Sequence, residues 1–159
     1  MTYLPILLDR RFSASSLAIG MVMFVSSFST ALISARAGAI SEFLSGKRIL
    51  MVGFMFFGVA MAVVPHMREL WMFVVPTALL GVGLGMFIPC IQSILVEMAP
   101  VRHRAAFLSV NSLLLRLGQT LGPLIMSAVI LTGGIGGVFY MGAALSAAMI
   151  VVAAFMIDT

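Results

Sequence analysis

"LLLRLGQTLGPLIMSAV" occupies residues 113–129. Apart from Arg116, Gln119, Thr120 and Ser127 it is apolar or small, and more apolar sequence lies on both sides. What an arginine does in the middle of such a run decides the reading of the whole chain. Of the 159 residues, 62% are hydrophobic and only 9% are charged. A soluble domain carries about 25% charged residues. A bilayer core of about 30 Å needs roughly 20 apolar residues per helix. Five such stretches are present: residues 15–40, 49–65, 70–98, 104–132 and 135–157, here segments A to E. Barrel strands would be about 10 residues long and alternating. The expected fold is therefore an all-α integral membrane protein with five complete transmembrane helices.

The formal charge of +4 does not signal nucleic acid, because the basic residues flank the apolar segments instead of forming one basic face. Arg36, Lys47, Arg48, Arg102 and Arg104 fall on one side, and Arg10, Arg11 and Arg68 on the other. That bias places the A–B and C–D turns in the cytoplasm. Cys90 is the single cysteine, which excludes an intrachain disulfide and a thiolate metal cage. Within an apolar helix it reads as a small packing residue. "TYLPILL" (residues 2–8) is apolar but far too short to span, and it lacks the basic start and cleavage site of a signal peptide. It reads as the last two turns of a helix that begins upstream, so the chain is expected to be a fragment of a longer protein.

Helical neighbours recur every three or four residues. In segment D, Ser109, Ser112, Arg116, Gln119, Thr120 and Ser127 share one stripe about 100° wide. Gly118 and Gly122 lie on a different face, in close-packing G-x-x-x-G spacing. Segment A carries a row of Ser16, Gly20, Ser26, Ser27, Thr30 and Ser34, and segment C shares Thr77, Gly81, Gly85 and Gln92 on one face. Segments B and E show nothing comparable. Hydroxyl rows also serve as helix-packing glue, and segment A taken by itself fits that reading.

Segment D does not. A lipid-facing arginine at mid-depth costs roughly 2.5–3.5 kcal/mol even on the lenient insertion scale. Arg116 lies about twelve residues inside segment D, too deep for its head to reach the interface comfortably. Pro123 adds a second irregularity, because it frees the carbonyl of Gln119. A freed carbonyl is tolerated only beside protein or a wet cavity. Arg116, Gln119 and Pro123 together indicate a water-accessible cavity at mid-membrane.

Asp9, Glu42, Glu69, Glu97 and Asp158 all stand at segment ends or turns, as do His66 and His103. No membrane segment holds paired carboxylates, a His-Cys cluster or a Ser-His-acid set. An intramembrane enzyme needs a nucleophile or metal with a base in reach, so neither catalysis nor a metal or cofactor is expected.

Three stretches resemble the C-terminal half of the major facilitator superfamily of secondary transporters. "YLPILLDRRFSASSLAIG" (residues 3–20) is similar to the end of the family's seventh helix, the outer loop and the start of the eighth. "GAISEFLSGKR" (residues 38–48) resembles the degenerate second copy of the cytoplasmic G-x-x-x-D-R-x-G-R-R loop. Here Glu42 replaces the acid, Phe43 the following arginine, and one extra residue precedes Gly46. "EMAPVRHRAAFLSVNSLLLRLGQTLGP" (residues 97–123) resembles the tenth-to-eleventh-helix segment of bacterial efflux-type members.

The resemblance implies that residues 1–159 are part of a twelve-helix protein in the plasma membrane, with a missing N-terminal half as partner. It implies alternating access for a small organic solute, in the efflux direction, with any proton-coupling carboxylate in the missing half. Segments A, C and D would line the central cavity through Ser26, Thr30, Ser34, Thr77, Gln92, Ser112, Arg116, Gln119 and Thr120. Glu42, Lys47, Arg48, Glu97 and Arg104 would form cytoplasmic gating contacts. Gly118, Gly122 and Pro123 would supply close packing and a bend. The competing expectation is a helical membrane subunit, or an inactive fragment, that transports nothing.

Overall fold

The computed structural model describes residues 3–156, with the side chains of Arg10, Arg11, Thr132 and Met156 left out. The outer-side readings of Arg10 and Arg11 and the terminal Asp158 therefore lie outside what is described. Among the described residues, five helices are long and apolar enough to cross a membrane. A short helix, α1 (Tyr3–Phe12), precedes them.

The first crossing is α2 (Ser16–Ala35). Ser15 caps it from an extended conformation, its hydroxyl accepting the Ala18 N–H over 3.3 Å, as N-cap serines do. Segment A was expected to continue to residue 40, but the helix breaks at Arg36 (φ −100°, ψ 5°) and restarts as α3 (Ala37–Phe43). One unbroken helix from Ser16 to Phe43 would be about 40 Å long, well beyond an apolar core of about 30 Å. The break instead lays α3 against the end of the third crossing.

Next comes α4 (Gly46–Val63), which tightens into a 3-10 turn at Val64–His66 holding Pro65. A second 3-10 turn, Leu70–Phe73, opens α5 (Val74–Met98). The last helix, α6 (Arg104–Met156), contains two crossings. Its helical backbone is interrupted at Gly134 (φ 65°, ψ −175°), a conformation that favours glycine. The turn between segments D and E is thus concentrated at one residue. The limb before it (Val101–Leu131) and the limb after it (Gly133–Phe155) line one common cavity.

At the centre is α5, with α2 on one flank and α4 on another, and α4 in turn packs on the second limb of α6. Small residues allow these approaches. A β-carbon on Gly85 would lie 2.8 Å from the Thr30 carbonyl oxygen, and one on Gly81 would collide with the Ser26 carbonyl. On the opposite flank, a β-carbon on Gly83 would lie 2.8 Å from the Gly53 carbonyl. Close backbone approach through small residues is how membrane helices associate, since lipid supplies no hydrophobic drive between them.

Two buried clusters result. One gathers Leu4, Leu7 and Leu8 of α1 with Val22, Val64, Phe73 and Phe139, and so ties α1 to the bundle. The other joins Ile49, Leu50, Met86 and Cys90. Cys90 is buried, and its thiol donates to the Gly46 carbonyl at 3.4 Å.

Candidate functional site

No residue between 101 and 131 is buried, and the polar row of the first limb of α6 lies on its open surface. Ser112, Arg116, Gln119 and Thr120 are all exposed. The Thr120 hydroxyl donates back to the Arg116 carbonyl at 3.0 Å, and the Ser127 hydroxyl to Leu124 at 2.6 Å. These two hydroxyls are satisfied within their own helix. Among the described residues no hydrogen bond or ion pair reaches the Arg116 guanidinium. A membrane-depth cation with no partner in its own bundle requires one from elsewhere.

The row on α2 behaves differently. Thr30 donates to the Ser26 carbonyl at 2.9 Å and to Gly81 across the interface at 3.1 Å. Ser34 donates to Gly85 at 3.3 Å. Ser26 is buried. Thr30 and Ser34 thus stitch α2 to α5, the helix-packing role that hydroxyl rows also serve, because the glycines of α5 bring its carbonyls within hydroxyl reach. Ser26 and Thr30 still border a shallow recess of about 330 Å³, together with Ser27.

Thr77 corrects the sequence reading most clearly. It is 0% exposed, and its hydroxyl donates to the Phe73 carbonyl at 2.7 Å and to Val74 at 3.1 Å. Gly81 and Gly85, placed on the same polar face, are filled by α2. Of that face only Gln92 is exposed.

The glycines of segment D reverse in the other direction. Expected to pack closely, Gly118 and Gly122 would have no atom within 4 Å of an added β-carbon. They border a cavity of about 730 Å³ with Gln119, Pro123 and aromatic side chains of α4 and α5. Pro123 lies inside a helix that continues through it, and its carbonyl accepts the Tyr3 hydroxyl at 2.6 Å. That bond was not foreseen in the sequence; a tyrosine at the end of a stub and an intrahelical proline were the two signals.

At the opposite end from α1, Glu97 borders a cavity of about 340 Å³ with Ser45, Gly46 and Ser93. Lys47 is half-buried, while Glu42, Arg48 and Arg104 are exposed. The α3 segment and the end of α5 thus meet at one face, as antiparallel crossings require. Among the described residues no cluster of His, Cys, Asp or Glu could hold a metal ion.

The Major Facilitator Superfamily profile matches residues 1–159. The chain belongs to that family. Members of the major facilitator superfamily are membrane transporters and not enzymes, and the five crossings make this a multi-pass membrane protein. The chain is also similar to "Probable anion transporter 3, chloroplastic" of Oryza sativa subsp. japonica, with 27% identity over 104 residues. That alignment covers 64% of this chain and 20% of the rice protein, so the chain spans about a fifth of the length of the relative it matches. No solved structure matches.

Proposed function

We propose that the full-length protein moves a small anionic solute across the membrane by alternating access, with Arg116 contacting the anion. The observation that carries this reading is the open guanidinium of Arg116, at mid-depth on a polar row that nothing in the described bundle covers. An arginine presents a planar fork of donors suited to carboxylate or phosphate. The name of the rice relative agrees with an anion. Ser112 and Gln119 would flank the same contact, and Ser27 of α2 and Gln92 of α5 are exposed polar residues available to the same solute. Residues 1–159 would form one half of a twelve-helix protein whose other half covers these rows. Glu42, Lys47, Arg48, Glu97 and Arg104 would form the cytoplasmic contacts that change as the halves rock. Residues 97–123 resemble efflux-type bacterial members, so outward movement across the plasma membrane is the direction to test first. Proton coupling would require an acid outside this chain, since none lies deep within it.

The test is flux through the full-length protein in proteoliposomes, with labelled phosphate, benzoate and succinate against uncharged glucose. Loss of a charged hydrogen bond costs about 1.5–3 kcal/mol, which is roughly 10- to 100-fold in affinity. Arg116→Met should lose anion flux on that scale at near-normal membrane expression. Arg116→Lys keeps the charge without the fork, and should transport with weakened affinity. Anion flux of Arg116→Met equal to the parent, or flux of glucose alone, would overturn the reading.

A further inference from the structure

Among the described residues, three strongly exposed apolar side chains stand where the chain turns, not on the flank of a crossing. Phe43 (84% exposed) ends α3, Met98 (74%) ends α5, and Val101 (78%) opens the 3-10 turn Val101–His103 before α6. An apolar residue on the flank of a crossing meets acyl chains. One on a turn meets water or lipid headgroups, and in water it forgoes the free energy of burial. Phe43 is not a core residue out of place, because Ile40 and Leu44 are the residues by which α3 packs on the Ile49 cluster.

The same end of the bundle is basic. Arg36, Arg48, Arg102 and Arg104 are exposed there and Lys47 is half-buried, against the two acids Glu42 and Glu97. Among the described residues no hydrogen bond or ion pair engages those four guanidinium groups, although both acids share their end. Basic residues at segment ends are accounted for by orientation alone. Phe43, standing between Arg36 and Arg48 in sequence, and Val101, next to Arg102, are not. Apolar residues interleaved with cations are the pattern of elements that sit in a headgroup layer. Clusters of about four to eight Lys and Arg beside a crossing attract anionic lipid, and the planar arginine fork matches phosphate. A zwitterionic lipid would accommodate the apolar side chains and leave the excess of cations uncompensated.

We infer that this end of the bundle is a binding surface for anionic phospholipid. Phe43, Met98 and Val101 enter the boundary of the acyl layer, and the arginines engage headgroup phosphates. The inference depends neither on the transported solute nor on which side of the membrane this end faces.

Site-specific photo-crosslinking tests it. Phe43→p-benzoylphenylalanine in the full-length protein puts a reactive ring at the position of the exposed aromatic. The protein is reconstituted in vesicles of equal phosphatidylglycerol and phosphatidylcholine and irradiated, and the adducts are identified by mass spectrometry. Phosphatidylglycerol should dominate them. A basic residue near an anionic surface is worth roughly fivefold in preference, so Arg36→Gln and Arg102→Gln should each lower the ratio by up to about that factor. The same probe at Trp71, at the opposite end of the bundle, should not respond to either change. Equal labelling of the two lipids, or a ratio unchanged by both substitutions, would overturn the inference. So would attachment to another segment of the protein, to a second protein, or to nothing when the label is present in the membrane. Loss of the preference on adding free glycerol phosphate would make a soluble anion the ligand, and would overturn it too.

Discussion

The Tyr3 hydroxyl donates to the carbonyl of Pro123 at 2.6 Å, across 120 residues of sequence. It links α1 to the least covered crossing of the bundle, next to the carbonyl that Pro123 frees on Gln119. Interhelical hydrogen bonds in membranes average about 0.6 kcal/mol. Tyr3→Phe should therefore lower the unfolding free energy of the full-length protein by about that amount, measured by denaturant titration in detergent. An unfolding curve identical to the parent's would show that the bond contributes nothing.

The α2–α5 contact predicts a larger effect. Gly81→Ala and Gly85→Ala push a methyl into the Ser26 and Thr30 carbonyls. They should each cost about 1–3 kcal/mol by overpacking. Gly20→Ala, where nothing lies within 4 Å, should be neutral or stabilising. Thermal midpoints of the three variants decide the matter. Equal midpoints for all three would mean that α2 and α5 are further apart than described.

Loop charge predicts the topology. In a Cys90→Ala background, Ser45→Cys and His103→Cys should resist an impermeant thiol reagent added outside intact cells, while Glu69→Cys reacts readily. The opposite labelling pattern would invert the orientation of every crossing.

The five crossings were legible because apolar length and charge at segment ends are read one residue at a time. The Ser15 cap was legible for the same local reason. The break at Arg36 was not, because it depends on how far a helix reaches relative to the membrane and not on a helix-breaking residue. Within the candidate site, periodicity grouped Arg116 and Gln119 on one row, and in the structure both are exposed, as are Leu113, Leu114 and Leu117 on the other faces of the limb. What periodicity cannot supply is which neighbour a face meets. Thr30 and Ser34 were placed on a polar stripe, yet the carbonyls of Gly81 and Gly85 take their protons. Thr77 sits on a polar face and is nonetheless sealed, because its hydroxyl finds the preceding turn of its own helix. The glycine pairs of α5 and α6 have the same spacing, and only the presence or absence of a facing backbone separates them.

The bend at Gly134 has a consequence for biogenesis. From residue 117 to residue 157, through both limbs' apolar stretches and the turn between them, no Asp, Glu, Lys or Arg occurs. Nothing in that turn can itself be retained on either side by charge. With the turn at Arg102 and Arg104 on the cytoplasmic side, as loop charge predicts, the two crossings would enter the bilayer as a single hairpin oriented from that entrance. Two arginines would then set the direction of about a third of the chain.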